Sequence, residues 1–157
     1  MVEKRQDAVK SRRPEGDAFS ALVVCIFQLE GLLAAAGDAI ASPLGQSTAR
    51  WRVLAAIEQE PRTVAQIARD WKLARQSVQR LADALEADGL VKYLDNPAHR
   101  QAKLVDLSPE GRRILRRIQS KQAAWANEAG AAIGTRDLQA ATDVLGRIAA
   151  TLEREPT

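Results

Sequence analysis

The sequence predicts a mainly α-helical chain carrying one small β-hairpin. Three observations carry that reading. Leu, Ala, Ile and Val dominate the 157 residues while aromatics make up only 4%, which favours packed helices over a sheet sandwich. Apolar residues recur at helical spacing along most of the chain. One stretch, residues 63–107, breaks that pattern as a short helix, a tight turn, a longer helix and then a two-stranded hairpin. The length suits a single domain with a real core, expected over residues 18–157.

Residues 1–17 are charged, and the bases Lys4, Arg5, Lys10, Arg12 and Arg13 outnumber the acids. They are expected as a disordered basic tail; a basic arm on DNA backbone is the other reading. The apolar run that follows, residues 18–36, carries Leu22, Ile26, Leu29 and Leu33 at the 4-3-4 spacing of a packed helix. Gln28 and Glu30 within it argue against a signal peptide or a span, because an acid is costly in either. Gly, Pro and Ser interrupt the pattern over residues 37–46. Ser47 then caps a helix reaching Glu58 that buries Trp51, Leu54 and Ala55, and Pro61 ends it.

Thr63 and Gln66 have capping-box spacing, and Val64, Ile67 and Ala68 form one apolar face. The next helix runs from Arg75 to Asp88 with Val78, Leu81, Ala82 and Leu85 inward, and Gly89 stands at C′. Opposite that stripe lie Arg75, Gln76, Gln79, Arg80 and Asp83. Lys72, Arg75 and Arg80 come first, and Asp83, Glu86 and Asp88 follow. The macrodipole prefers the reverse order. A helix that forgoes this gain has a use for a positive N-terminal end, and a polyanion is the partner such an end suits. Arg and Gln also match guanine and adenine edges in the major groove. An ordinary solvated face is the plainer reading of the same residues.

Ser108 and Pro109 form a cap with proline at N1. The helix they open reaches Ala132, with Ile114, Leu115, Ile118 and Trp125 inward and Arg112, Arg113, Arg116 and Arg117 in a basic strip. Gly134 and Thr135 open the last helix, where Leu138, Ala141, Leu145, Ile148 and Leu152 repeat as 3-4-3-4. Helical seams at both ends bracket a small central reader that cannot cover them. A symmetric dimer built on residues 18–36 and 108–154 would.

Three segments together resemble the MarR (multiple antibiotic resistance regulator) family of winged helix-turn-helix transcription factors. They are STARWRVLAAIEQEPRTVAQIA, SVQRLADALEADGLVKYLDNP and AKLVDLSPEGRRIL, and the likeness spans Phe19 to Leu152. It implies a winged helix-turn-helix over residues 46–107 and a homodimer bound to a near-palindromic double-stranded operator, as a repressor released by a small-molecule effector. The family's pockets lie between the dimer helices and the reader. This chain departs from the pattern at three places. Lys72 replaces the turn glycine, and Ala74 replaces the Ser or Thr cap of the recognition helix. His99 and Gln101 fall where the wing's Asp-x-Arg pair belongs, with Arg100 between them.

The expected DNA contacts are therefore Arg75, Gln76, Ser77, Gln79 and Arg80 on the recognition helix, Ser47, Thr48 and Arg50 on the backbone, and Arg100 at the wing tip. A net charge of +3 with a pI near 9.3 makes any such surface local. One cysteine and one histidine can form neither an internal disulfide nor a Cys/His zinc site. No Ser-His-Asp spacing, phosphate loop or dinucleotide fingerprint points to an enzyme or a cofactor. No membrane association and a cytoplasmic, reduced location are the expectation. Two alternatives stand beside it. One is a helical interaction module that has lost DNA reading. The other is a thiol sensor acting through Cys25, which Val24, Ile26 and Phe27 instead mark as a buried structural residue.

Overall fold

The computed structural model describes residues 13–99 and 101–154. Its first helix, α1 (Pro14–Ala41), starts on a proline at the first helical position. That places residues 14–17 in a helix rather than in the expected tail; residues 1–12 lie outside the described ones. The helix also runs through Gly37, where a break was expected, because this glycine lets another element approach closely. A Cβ there would stand 2.4 Å from Thr48 Oγ1. A short 3₁₀ turn, Ser42–Leu44, and Gly45 at φ 71° redirect the chain into α2 (Thr48–Ala56). Ser47 caps α2 by accepting from the Arg50 N–H at 3.3 Å.

The reader follows as β1 (Arg62–Thr63), α3 (Val64–Asp70), α4 (Arg75–Ala87), β2 (Val91–Leu94) and β3 (Leu104–Leu107). The strand order is β1-β3-β2, all antiparallel, with Tyr93 opposite Val105 and Arg62 opposite the other side of that residue. The sequence reading expected two strands. β1 adds a third, but two residues are too short to show alternation. The Thr63 capping box is present in full: Gln66 N donates to Thr63 Oγ1, and Thr63 N donates to Gln66 Oε1 at 2.8 Å.

One core holds these parts. Val53, Leu54 and Ile57 of the α2 region, Ile67 of α3, Val78, Ala82 and Leu85 of α4 and Val105 of β3 are all fully buried. Ile114, Leu115 and Ile118 of α5 (Pro109–Ile133) close it from below. α5 is locked to the wing at its start. Ser108 Oγ donates to Gly89 O at 2.7 Å and accepts from Gly111 N at 2.9 Å. The nearly buried Asp106 carboxylate accepts from Arg112 at 3.2 Å and pairs with Lys92 at 3.4 Å, tying β3 to α5 and β2.

Outside that core the chain is unevenly covered. Only Gly37 and Ala41 of α1 are buried, and no residue of α6 (Thr135–Arg154) is. Phe27 and Leu32 are 68% and 69% exposed. Leu22, Ile26, Leu29 and Leu33 of α1 line an apolar groove of about 630 Å³ with Ala141, Val144 and Leu145 of α6. The segment Pro14–Leu44 is long and apolar enough to cross a membrane by length and composition.

Two expectations of burial are corrected here. Cys25 is exposed on the groove side of α1, not buried. Trp125, expected inward, is a surface residue, as Trp71 is, whereas Trp51 packs against the core as expected. Helical periodicity marks an apolar face, yet it does not say whether the same chain covers that face.

Gly111 is the tightest joint in this frame. A Cβ there would lie 1.9 Å from the Leu90 carbonyl oxygen, a backbone atom that cannot swing aside. Gly111→Ala should therefore destabilise the chain by about 2–3 kcal/mol, the upper range of overpacking costs. Urea unfolding of parent and variant checks it; equal midpoints would contradict the close-approach account.

Candidate nucleic-acid interface

α3 and α4 meet through a turn whose geometry is demanding. Trp71 N and Lys72 N donate back into α3, and Leu73 N donates to Ala68 O at 2.8 Å. This closure puts Lys72 at φ 52°, in the left-handed region that glycine tolerates best. Its ammonium reaches Glu153 near the end of α6 at 2.9 Å. Ala74 then stands at the N-cap of α4 with no side chain to accept. Ser77 N donates to Ala74 O at 3.0 Å, but the Arg75 and Gln76 N–H groups have no acceptor among the described residues, and no acid occupies the first turn.

Arg75, Gln76, Ser77, Gln79 and Arg80 are all exposed on one face of α4. Arg80 Nε makes only a long contact, 3.5 Å, to Gln76 O. Positive side chains and unspent N–H groups thus share one helix end, an arrangement that favours phosphate and base-edge acceptors.

The residues expected to hold DNA backbone from α2 are differently placed. Thr48 Oγ1 lies 2.8 Å from Asp38 Oδ1 and 3.1 Å from Ala34 O, and Thr48 N donates to the same carboxylate oxygen at 2.7 Å. Those bonds from the Thr48 backbone and hydroxyl hold the Asp38 carboxyl below its usual pKa. Arg50 pairs with Asp88 at the far end of α4, and its side chain is only 19% exposed. Thr48 therefore has its polar groups committed to α1 and Arg50 its Nη2 to Asp88, while Arg50 Nε is buried with no partner among the described residues. Ser47 is half-buried and caps α2.

A cleft of about 350 Å³ separates α4 from the wing, lined by Arg75, Gln79, Asp83, Tyr93 and Lys103 among others. Across it, Tyr93 OH donates to Asp83 Oδ1 at 2.7 Å. Gln79 Nε2 donates to both, at 2.8 Å each. Burial, and then the Asp83 carboxylate, push the Tyr93 phenol well above its usual range, so it stays a donor. Sequence reasoning found Gln79 and Asp83 on the outer face but missed Tyr93. Its signal is a lone tyrosine in a strand, whose partner only the register of β2 against α4 supplies.

The wing beyond β2 is organised by Asn96, whose Nδ2 donates to Ala102 O at 2.9 Å while its Oδ1 accepts from Ala98 N. Arg100, the expected wing-tip contact, lies outside the described residues.

This order of capped α2, turn-linked α3 and α4, and wing is shared with known proteins. A model for the MarR family matches residues 44–102. An uncharacterised protein of Mycobacterium tuberculosis is 36% identical over 139 residues, covering 88% of this chain and 97% of its own length. A solved MarR family transcription regulator superposes with a TM-score of 0.78 at 22% identity, over 90% of this chain and 97% of that one.

The chain belongs to the MarR family.

The same fold occurs in the transcriptional repressor CouR bound to a 23-mer DNA duplex, at a TM-score of 0.76 and 22% identity over 88% of this chain and 99% of that one. CouR from Rhodococcus jostii is also known bound to p-coumaroyl-CoA, with a TM-score of 0.73 and 22% identity over 82% of this chain and 91% of that one. Within the family pattern, the residue at the turn-glycine position of this chain, Lys72, keeps the backbone a glycine would take. Lys72→Gly should then raise the unfolding free energy by up to about 1 kcal/mol, the left-handed penalty less glycine's entropy. Thermal and urea unfolding measure it. A clear loss of stability would contradict the strained-turn reading.

Proposed function

We propose that this MarR-family chain is a cytoplasmic, homodimeric regulator that binds a near-palindromic double-stranded operator as a repressor. The observation carrying this reading is the outer face of α4. Its uncapped N-terminus and the exposed Arg75, Gln76, Ser77, Gln79 and Arg80 project together from a rigid, fully packed helix. Such a face reads bases, while phosphate contacts supply most of the affinity. Arg100 is assigned to the wing contact by its place in the sequence. Ser47, Thr48 and Arg50 are assigned to the duplex side as the frame that sets α4 at groove level, since their side chains already join α1, α2 and α4.

The uncovered apolar residues of α1 and α6 support the homodimer. A large exposed apolar surface marks an interaction site. A small-molecule effector is assigned to the junction of that surface with the reader. There Arg52, which lines the groove, also stacks over the Trp71 ring at 5.7 Å from its centroid, so an occupant meets a residue touching the helix-turn-helix.

Binding measured by anisotropy across a salt series, on duplexes selected from a random pool and on random duplex, tests the proposal. A steep fall with salt on both, and tighter binding to the selected duplex, is the expected result. Arg80→Ala should cost roughly 1–3 kcal/mol on the selected duplex and much less on random DNA. Binding that is flat with salt would indicate an interaction module instead, and a uniform Arg80→Ala loss would make it a phosphate contact.

A further inference from the structure

Gln79 does not present its carboxamide freely. Its nitrogen is turned inward onto Asp83 Oδ1 and Tyr93 OH, each at 2.8 Å. The reverse orientation would set Gln79 Oε1 beside the Asp83 carboxylate oxygen, two acceptors with no proton between them. The acid therefore decides which end of the amide faces out. Tyr93, donating to the same carboxylate oxygen at 2.7 Å, closes the triangle from β2. Oε1 has no partner among the described residues, and the side chain is exposed at the mouth of the cleft between α4 and the wing.

We propose that Tyr93 and Asp83 act as a positioning pair that makes Gln79 an acceptor-only reader, selecting a base with an exocyclic amino group, adenine N6 or cytosine N4, at one position of each half-site. A free glutamine can pair with adenine through both ends of its amide. Here the donor end is spent within the protein, so guanine and thymine, which offer only acceptors at the corresponding major-groove positions, are rejected. The raised pKa of the phenol keeps Tyr93 a donor throughout the neutral range, so this selection is insensitive to pH there. The triangle also joins the wing to the recognition helix, so the wing's attitude and Gln79's orientation are set by the same three bonds.

This inference rests on the proposed DNA reading by α4. Selecting duplexes from a pool randomised across the half-site, then measuring affinity for each base at each position, tests it for the full chain. In the parent, one position should favour adenine or cytosine on one strand. Tyr93→Phe should flatten that preference by about fivefold, the weight of one hydrogen bond, and leave preferences elsewhere in the site unchanged. Gln79→Ala, which removes the carbonyl acceptor altogether, should abolish the same preference and gives a second route if Tyr93→Phe folds poorly. A Tyr93→Phe, Gln79→Ala double variant should lose no more discrimination there than Gln79→Ala alone. A guanine or thymine preference that disappears with Gln79→Ala overturns the proposal, as does an unchanged profile in both single variants. Failure to select any sequence would remove the DNA-reading proposal and this inference together, whereas selection with an unaffected profile removes the inference alone.

Discussion

The packing of α4 governs everything outward of it. Val78, Ala82 and Leu85 are fully buried, against α2 and α3 among others, which fixes the rotation of the helix about its own axis. Full burial of a Val or Leu is worth about 1.5–3 kcal/mol, so turning the helix to another face forfeits several such terms at once. With the inner stripe held, Arg75, Gln76, Gln79 and Arg80 have one direction left to face. The helix ends are held as well. Asp88 near the C-terminus pairs with Arg50, and the start follows directly from the tight turn at Lys72. A reader of bases needs this rigidity, because hydrogen bonds to base edges discriminate only when the donor and acceptor positions are set in advance.

The structure divides the chain into two unequal levels of completion. The reader, with β1–β3 and the first half of α5, buries its core within one chain, and Asp106, Ser108 and Gly111 lock wing to helix. α1 and α6 do not reach that state. Their apolar residues line a groove or stand in solvent. The proposed homodimer would remove this apolar surface from water, and it would do so at the elements farthest from α4 in role. The polar link between the two levels at the turn among the described residues, Lys72 with Glu153, is exposed at both partners and contributes little by itself. Arg52 over Trp71 is a second link, between the groove and the helix-turn-helix.

Much of the fold was legible because local chemistry left marks at fixed spacing. Thr63 with Gln66, Ser108 with Pro109, Ser47 and Gly89 each sit where a helix end demands them. The outer face of α4 was legible too, since its inward stripe and its reversed charge order are both one-dimensional patterns. What stayed hidden depends on contacts between distant segments. Nothing in the sequence pairs Asp38 with Thr48, Arg50 with Asp88, or Tyr93 with Gln79 and Asp83. The exposure of Cys25 and Trp125 was missed for a related reason. An apolar face has the same periodicity whether its own chain or another body covers it. β1 was too short to have a period at all.

Hydroxyl-radical and methylation footprinting of the full chain on a selected duplex tests the central claim most directly, that two copies of this reader engage DNA through α4. The account predicts two protected major-groove patches about one helical turn apart, 10–10.5 base pairs centre to centre, related by the near-palindrome. A single protected patch, or protection confined to the sugar-phosphate backbone with the major-groove purines left open, would contradict it.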